Sequence, residues 1–500
     1  MVTMISQAGM VVTDQVMVGH LIGTTQALAA AGVGNTIFNI VWYIIVGAAS
    51  ALDTMGSQSW GAGDQPSLHK WGCVCGVTLL VMNLGAALVL ALGEPIALAL
   101  HQTAETAAMV GVFCRLLIPG MPPLTLAIIL HKMLQVQGRV AALMLTSTSC
   151  VQGRVAAPMV ISVATFCVNL GANELFIRAF GFEGAPTATS VSRAAMLLFT
   201  LAYLACAPLV PAHPQRPAAL LRKVPRFWQG RGAFLALALQ GGAMMGLEAS
   251  SFDVTTAFAA RLGEVEVAAH AAIISIVSFT FYSFPFGISI ASSIRVVAAH
   301  AAIICIVSFT FYSFPFGISI ASSIRVGNLL GAQRPHLARV SAFIAVTAGV
   351  LFMFICGIIM LSAREVLGRL FTSDEDVVDA IAVIAPLAAL FQVFDGTMGT
   401  TAGALRGMGR QKELLYFNII GLWCAGVLSG YLLAFTAGLE LRGLWTGVCL
   451  GVFTTAMLNL AVLLRVNWPL EARLAAIRTD TVSTLTIPAS PSAAEAAVVA

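Results

Sequence analysis

The sequence predicts an all-α membrane protein that crosses the bilayer many times. Charged residues make up 10% of the chain and hydrophobic residues 59%, whereas a soluble globular domain carries about 25% charged residues. Apolar runs of about 20 residues, the length that a helix needs to cross the hydrocarbon core, recur from the first residues to about residue 465. This composition excludes a soluble enzyme and gives no sign of a nucleic-acid partner.

The apolar runs give thirteen candidate spans when both copies of a repeated stretch are counted. The first run lacks the basic flank and the small-residue cleavage site of a signal peptide, so we expect it to remain in the mature chain. The ten cysteines show no zinc-type spacing, and we expect no metal site. The predicted spans are 2–22, 28–52, 71–93, 108–131, 157–178, 186–210, 233–258, 268–291, 298–321, 341–362, 379–404, 415–436 and 443–464.

A stretch of 30 residues occurs twice in succession. Residues 267–296 read VAAHAAIISIVSFTFYSFPFGISIASSIRV, and residues 297–326 repeat them with Cys305 in place of Ser275. Cytoplasmic loops hold the excess of Lys and Arg. If the doubled stretch crosses once and the N-terminus is cytoplasmic, 18 Lys and Arg lie in cytoplasmic segments and five outside. Twelve crossings therefore fit the charges, and the second copy is a recent duplication or an error in the predicted reading frame.

The two halves of the chain are repeats of one plan. GAASALDTMGSQSWGA from Gly47 aligns with GISIASSIRVGNLLGA from Gly317, and LQVQGR at 134–139 aligns with LRGMGR at 405–410. Six spans per half is an even number, so we expect two six-helix bundles related by a pseudo-two-fold axis along the membrane normal. The predicted organisation is an N-terminal lobe (1–210), a basic cytoplasmic linker (211–232), a C-terminal lobe that contains the duplication (233–465) and a disordered cytoplasmic tail (466–500).

Several stretches resemble the multidrug and toxic compound extrusion (MATE) family, in particular its eukaryotic branch. They include MVGHLIG, ALDTMGSQSWGAGD, LQVQG, GLEASSFD and FDGTMGTTAGALRGMGRQKE, and the resemblance covers about residues 10 to 465 in family order. It implies a secondary active antiporter that exports small organic solutes, such as organic cations or xenobiotics, in exchange for H⁺ by alternating access. Na⁺ is an open alternative as the coupling ion, and no other cofactor is implied. The expected setting is a monomer in a plasma or vacuolar-type membrane, with both termini cytoplasmic.

Carboxylates inside membrane spans are the candidate functional residues. A charge in hydrocarbon costs several kcal/mol unless it is paired, hydrated or protonated, and Asp14, Glu248, Asp253 and Asp395 lie within predicted spans. Glu248 and Asp395 match acidic positions of the family, and we expect them to form a coupled pair in one lobe. Asp253 lies about 140° around the helix from Glu248. Asp14 falls where many relatives carry an Asp, and a polar contact near the helix end explains it nearly as well.

Other polar residues within the spans have structural explanations. Arg115 and Arg193 are basic residues inside predicted spans, where they snorkel or pair with a carboxylate. Asn169, Asn173 and Glu174 cluster on the fifth span, and interhelical hydrogen bonding is the usual role of such side chains.

Three other interpretations compete with antiport. A flippase for lipid-linked precursors shares the two-lobe plan but needs basic residues in its cavity, and few interior Arg or Lys are available. A non-functional product of a faulty gene prediction would explain the doubled span. A membrane-embedded enzyme lacks support because the sequence has no GxSxG motif, intramembrane His pair or metal-ligand cluster, and its Gly-rich stretches lack the GxxxxGK[ST] phosphate-loop spacing.

Overall fold

The fold is that of a computed structural model, which describes most of the chain. The described residues are 10, 13–14, 17–19, 21–100, 102–137, 149–206, 230–263, 265–266, 268–270, 273, 316–364, 369 and 375–479. Most of the doubled stretch and most of the predicted first span therefore lie outside the described residues.

Helices make up the described part of the N-terminal half. Side chains of Thr24, Asp64 and Thr103 accept backbone hydrogen bonds at the starts of three of these helices, as N-cap residues do. Single turns of 3₁₀-helix at Ile118–Gly120 and Gly181–Glu183 separate neighbouring helices. The helices are α1 (helical at 10, 13–14, 17–19 and 21), α2 (Thr25–Gly61), α3 (Gln65–Ala91), α4 (Gly93–Ala99), α5 (Ala104–Leu117), α6 (Met121–Gln137), α7 (Ser149–Phe180) and α8 (Gly184–Cys206).

The described residues of the C-terminal half are also mainly helical. One of its helices, α13, starts at Gln411–Asn418 and continues through π-helical stretches at Ile419–Leu428 and Leu432–Thr436. The others are α9 (Arg231–Leu262), α10 (residues 316–331), α11 (Pro335–Ser362), α12 (Glu375–Met408), α14 (Glu440–Arg465) and α15 (Trp468–Arg478).

The predicted all-α membrane fold is confirmed. The described residues contain no strand, and nine of their helical segments are long and apolar enough to cross a membrane. Several helices continue past their predicted ends, and α2 and α10 do so by the most residues. The second span was predicted to end at residue 52 and the ninth at residue 321, but α2 continues to Gly61 and α10 to residue 331. These Gly-rich ends stay helical because they pack against the other half of the molecule.

The predicted disordered tail (466–500) includes residues that form a helix in the structure. Residues 468–478 form α15, whose Trp468, Glu471 and Ala475 are buried. Arg410 fastens this helix, because its Nη2 donates to Glu471 Oε1 at 2.6 Å and its Nη1 to Glu413 Oε1 at 2.6 Å. Burial opposes the charge of Arg410, but these hydrogen bonds outweigh it and raise its pKa. Because α15 has a buried face and its Glu471 is bonded to Arg410, residues 468–478 belong to the fold and not to a disordered tail.

Each half has its own hydrophobic core. One cluster of buried side chains runs from Val18 to Met196, with Phe234, Ala238 and Ile324 added from the C-terminal half. A second cluster runs from Phe252 to Ala456. α2 joins the two halves by packing along α9, where a Cβ on Gly47 would lie 2.3 Å from the Gly241 carbonyl oxygen. Glycine therefore permits two helix backbones to touch at this position.

The structure reproduces the internal repeat that the sequence predicts. The alignment of Gly47 with Gly317 also pairs Gly63 with Gln333, and both residues have positive φ, at 76° and 55°, just after α2 and α10. Gly63 N donates to the Trp60 carbonyl and Gln333 N to the Leu330 carbonyl, both at 3.0 Å. The two halves thus end equivalent helices in the same way.

An inter-half junction lies where the ends of α2, α10 and α12 meet. Gln58 Nε2 donates to the Gly407 carbonyl at 3.0 Å, and its repeat partner Asn328 donates from Nδ2 to the Val136 carbonyl at 3.5 Å. The aligned LRGMGR and LQVQGR motifs hold these two acceptors. The junction also has close backbone contacts, since a Cβ on Gly61 would lie 2.0 Å from the Asn328 oxygen and a Cβ on Gly331 would lie 2.0 Å from the Gln58 oxygen. The inter-half junction is defined by Thr54, Gln58, Gly61, Asn328, Gly331, Arg406 and Gly407.

Candidate functional site

The acidic residues of the C-terminal half lie on α9 and α12. Glu248, Asp253 and Asp395 are each half-buried, and Asp395 lies close enough to Glu248 for the two carboxyl groups to interact electrostatically. The structure therefore brings together the pair that the sequence suggests. Tyr43, on α2 of the other half, is within electrostatic range of both Glu248 and Asp253. Asp253 is thus nearer to the surroundings of Glu248 than its angle around the helix suggests.

Two side chains of α13 form hydrogen bonds with the segment of α9 that carries Glu248. Asn418 Nδ2 donates to the Met244 carbonyl at 3.1 Å, and Trp423 Nε1 donates to the Leu247 carbonyl at 3.0 Å. Asn418 also contacts the Glu248 carboxyl group. Trp423 lies in the π-helical stretch of α13, a backbone irregularity that is frequent at functional sites. Side chains from three helices therefore surround Glu248.

Arg406 is a functional candidate that hydropathy places in a loop after a span ending at residue 404, whereas the structure continues the helix past it. α12 extends to Met408, so Arg406 lies inside a helix and is buried. Its Nη2 donates to Ser319 Oγ at 2.6 Å, and its charge interacts with Glu248. Hydropathy did not reveal this residue because a basic residue at a span end looks the same whether it faces water or another helix.

Asp14 is the centre of a separate buried cluster in the N-terminal half. Asn173 Nδ2 donates to Asp14 Oδ1 at 2.8 Å, Asn169 Nδ2 lies 3.5 Å from the same oxygen, and Thr189 Oγ1 donates to Oδ2. The interhelical role predicted for Asn169 and Asn173 is confirmed. Glu174 differs from them, because it is partly exposed and pairs with Arg178 on the same helix. The structure does not bring Asp14 together with the three acidic residues of the C-terminal half.

Arg193 adds a positive charge beside the Asp14 cluster. It lies one helical turn after Thr189 on α8, its guanidinium carbon is 4.1 Å from the centre of the Phe38 ring, and its charge interacts with Asp14. The carbonyl oxygens of the Asn169 and Asn173 side chains are buried without a protein hydrogen-bond partner. The cluster therefore offers acceptor oxygens that a proton-bearing group or a small cation can use.

A second ion pair is buried in the N-terminal half. Lys132 Nζ on α6 lies 2.6 Å from Asp53 Oδ2 on α2, and the two side chains are 10% and 6% exposed. Lys132 lies just after the predicted end of the fourth span at residue 131, but α6 runs to Gln137, so Lys132 lies inside a helix. Arg115, in contrast, pairs with Glu94 at 3.8 Å as a partly exposed residue.

The arrangement resembles neither a metal centre nor a nucleophilic site. In the part of the chain that the structure describes, no group of three or more His, Cys, Asp or Glu is arranged to hold a metal ion. The acidic residues are instead held singly or in pairs by amide, hydroxyl and aromatic side chains from neighbouring helices. Such an arrangement can bind and release a proton or attract a cation.

Comparison with known proteins shows what kind of chain this is. The MatE family profile matches residues 1–158, 242–302 and 293–432, and the last two matches overlap within the doubled stretch. An uncharacterized transporter of Schizosaccharomyces pombe is 29% identical over 473 residues, which cover 93% of this chain and 77% of that protein. Multidrug and toxin extrusion protein 1 of Homo sapiens is 26% identical over 461 residues, covering 91% of this chain and 71% of the human protein.

Solved structures with the same fold include those of MATE transporters. The eukaryotic MATE transporter AtDTX14 superposes with a TM-score of 0.69 at 23% identity, covering 96% of this chain and 98% of that one. The Vibrio cholerae MATE transporter VcmN in its bent form gives a TM-score of 0.69 at 16% identity, covering 95% and 96% of the two chains. The chain therefore belongs to the MatE family, whose members are multi-pass efflux transporters and not enzymes.

Proposed function

We propose that this chain is a secondary active antiporter that exports organic cations in exchange for protons by alternating access. The observation that carries the proposal is the Glu248–Asp395 pair, held half-buried between α9 and α12 and faced by Tyr43 from the other half. Two interacting carboxyl groups hold protons as a unit and attract cations when ionised. A site of this kind can hold protons or an organic cation, which is what exchange requires.

The coupling ion is proposed to be H⁺ at Glu248 and Asp395. The Asp14 cluster is a second candidate for the coupling-ion site, and Asp253 is a lesser one. The amide oxygens of Asn169 and Asn173 in the Asp14 cluster have no protein hydrogen-bond partner and also suit Na⁺. The names of the relatives, multidrug and toxin extrusion proteins of fish, mouse and human, support an organic substrate. We further propose that the chain works as a monomer in a plasma or vacuolar-type membrane, with both termini and the inter-half junction on the cytoplasmic side.

The buried basic residues do not favour the flippase alternative. In the described part of the chain, three basic side chains are buried inside helices, and each of them interacts with a partner. Lys132 is bound to Asp53, Arg193 lies over Phe38 beside Asp14, and Arg406 donates to Ser319. Because these charges are compensated, they are poorly suited to hold the phosphates of a lipid-linked precursor.

Transport by the reconstituted protein tests the proposal. Proteoliposomes loaded with ethidium, an organic cation, are given a pH gradient, and efflux is followed by fluorescence with and without Na⁺. Glu248→Gln and Asp395→Asn are each expected to reduce pH-driven efflux at least tenfold, whereas Glu183→Gln, which changes an exposed residue between α7 and α8, should leave it unchanged. Coupling that survives both substitutions, or efflux that needs Na⁺ and ignores the pH gradient, would refute the proposal.

A further inference from the structure

Arg406 belongs both to the inter-half junction and to the surroundings of Glu248. Its backbone carbonyl accepts a hydrogen bond from Thr54 Oγ1 at 2.6 Å, and the next carbonyl, of Gly407, accepts from Gln58 Nε2 at 3.0 Å. Its side chain is buried, donates to Ser319 Oγ at 2.6 Å and interacts electrostatically with Glu248. The same residue therefore contacts the N-terminal half through its backbone and interacts electrostatically with Glu248 through its side chain.

The backbone at the end of α12 fixes the positions of the Arg406 carbonyl and of the Arg406 side chain. Gly409 has a φ of 86°, which ends α12, and its N–H donates back to the Arg406 carbonyl at 2.9 Å. Gln411, at the start of α13, donates from Nε2 to Thr54 Oγ1 at 2.9 Å. Thr54 is thus bonded both to the end of α12 and to the start of α13. A shift of the α12 end would disturb every one of these contacts.

Packing links Glu248 to the same end of α12. Met244 lies one turn before Glu248 on α9 and shares a buried cluster with Ala404, Leu405 and Met408, the neighbours of Arg406. The groups that interact with Glu248 electrostatically or by a hydrogen bond come from three packed helices. They are Arg406 and Asp395 of α12, Tyr43 of α2 and Asn418 of α13, with Asp253 further along α9.

We propose that Arg406 is a positioning residue through which the charge of Glu248 holds the inter-half junction closed. The inference rests on the antiport function proposed above. Ionised Glu248 attracts Arg406 and keeps the carbonyls of Arg406 and Gly407 against Thr54 and Gln58. When Glu248 takes up a proton the attraction is lost, and the junction opens more readily. Arg406 does not transfer the coupled proton and contacts no substrate in this scheme.

The direction of this effect agrees with antiport. If the junction is cytoplasmic, a proton that reaches Glu248 from the outside weakens the cytoplasmic closure. The protonated protein then opens toward the cytoplasm, where the proton is released and a new substrate is bound. Loss of the proton restores the attraction between Glu248 and Arg406, and the junction closes again.

Hydrogen–deuterium exchange on the full chain in lipid nanodiscs tests the role of Arg406. Wild type, Glu248→Gln, Arg406→Gln and the double variant are compared at one pH, so that intrinsic exchange rates are equal. Glu248→Gln and Arg406→Gln are each expected to raise exchange in peptides covering residues 54–61 by about threefold to tenfold. The double variant should exchange no faster than Arg406→Gln alone. Arg115→Gln, a partly exposed arginine of α5, is the matched control and should have no effect at these residues.

Two results would overturn the inference. One is a rise caused by Glu248→Gln that is as large in the Arg406→Gln background as in the wild type, or no rise in either. The other is loss of the response in Arg406→Lys, a milder variant that keeps the positive charge and is expected to retain it. Ethidium efflux is measured in parallel. A wild type without pH-driven efflux would reject antiport, whereas the hydrogen–deuterium exchange of the four proteins tests the link between Glu248 and Arg406 separately.

Discussion

At the scale of single residues, two buried carboxylates are paired with side chains of other helices. Asp14 of α1 is bound by side chains of α7 and α8, and Asp53 of α2 by Lys132 of α6. Glu174 and Arg178, paired within one helix, are largely exposed. Buried polar groups that lose a partner cost much more than exposed ones, since water cannot replace that partner. Substitutions in the cross-helix pairs should therefore have the larger effects.

Removing the Thr189 hydroxyl tests the Asp14 cluster. Thr189→Val keeps the side-chain shape but deletes a hydrogen bond to a carboxyl group, so we expect the free energy of unfolding to fall by about 1.5–3 kcal/mol. Thermal unfolding in detergent, followed by tryptophan fluorescence, measures the change. Thr187→Val is the matched control on the same helix, because the Thr187 hydroxyl donates to the nearby Glu183 carbonyl, four residues earlier in the chain. An equal loss in both variants would contradict a special role for the bond to Asp14.

The buried ion pair of Asp53 and Lys132 gives a second prediction. Lys132→Met leaves the Asp53 carboxylate buried without its counter-charge, which should cost about 3–5 kcal/mol of stability. Neutralising both residues, as Asp53→Asn with Lys132→Met, should restore much of this loss. The exposed pair provides the control, since Arg178→Met should cost about 0–1 kcal/mol. A double variant as unstable as Lys132→Met alone would show that the charge is not the cause.

At the scale of helices, the crossing of α2 and α10 depends on glycine. Gly61→Ala would place a methyl group 2.0 Å from the Asn328 carbonyl oxygen, too close for the backbones to remain in contact. We expect faster hydrogen exchange at residues 54–61 and a loss of about 1–3 kcal/mol of stability. Gly85→Ala on α3, where a Cβ meets nothing within 4 Å, is the control and should be neutral or slightly stabilising. Unchanged exchange in Gly61→Ala would show that the junction tolerates separation.

The sequence predicted which segments are helices better than it predicted where they end. Hydropathy located α2 and α10, but it ended them where their apolar runs stop. The Gly-rich continuations, SQSWGA and GNLLGA, are polar enough to resemble loops. Their helical form depends on contacts between Gly61 and Asn328 and between Gly331 and Gln58, residues distant in the chain. Periodicity along one segment contains no information about such partners.

At the scale of the whole molecule, the described parts of the doubled stretch lie near its two ends. Ala269 and Ile273 of the first copy pack in the core of the C-terminal half, and the described part of α10 covers residues 316–331, most of them in the second copy. A single crossing of the doubled stretch remains a prediction from the distribution of Lys and Arg in the sequence. Residues 274–315, between these two parts, lie outside the described residues.

Deleting residues 274–303 removes one 30-residue repeat and leaves a single copy of the stretch. We expect this variant to place its C-terminus on the same side of the membrane as the full chain does, because the basic loops after the deletion determine the orientation. Protease accessibility of a C-terminal tag in sealed vesicles measures the side. Deleting residues 341–362, most of α11, is the control that removes one true crossing and should invert or misinsert the later helices. Opposite sides for the full chain and the 274–303 deletion would mean that both copies cross.

The sequence by itself determined the membrane class, the helical segments, the internal repeat, the family resemblance and the carboxylates worth testing. Each of these follows from composition or from order along the chain, which hydropathy and aligned motifs contain directly. Only the tertiary structure decided that Asp14 is bound by Asn173 and Thr189, that Lys132 neutralises Asp53, and that Arg406 belongs to the inter-half junction while its charge interacts with Glu248. The reason is physical: the role of a charge in a helix bundle depends on which side chains of other helices lie beside it, and lateral packing sets those neighbours.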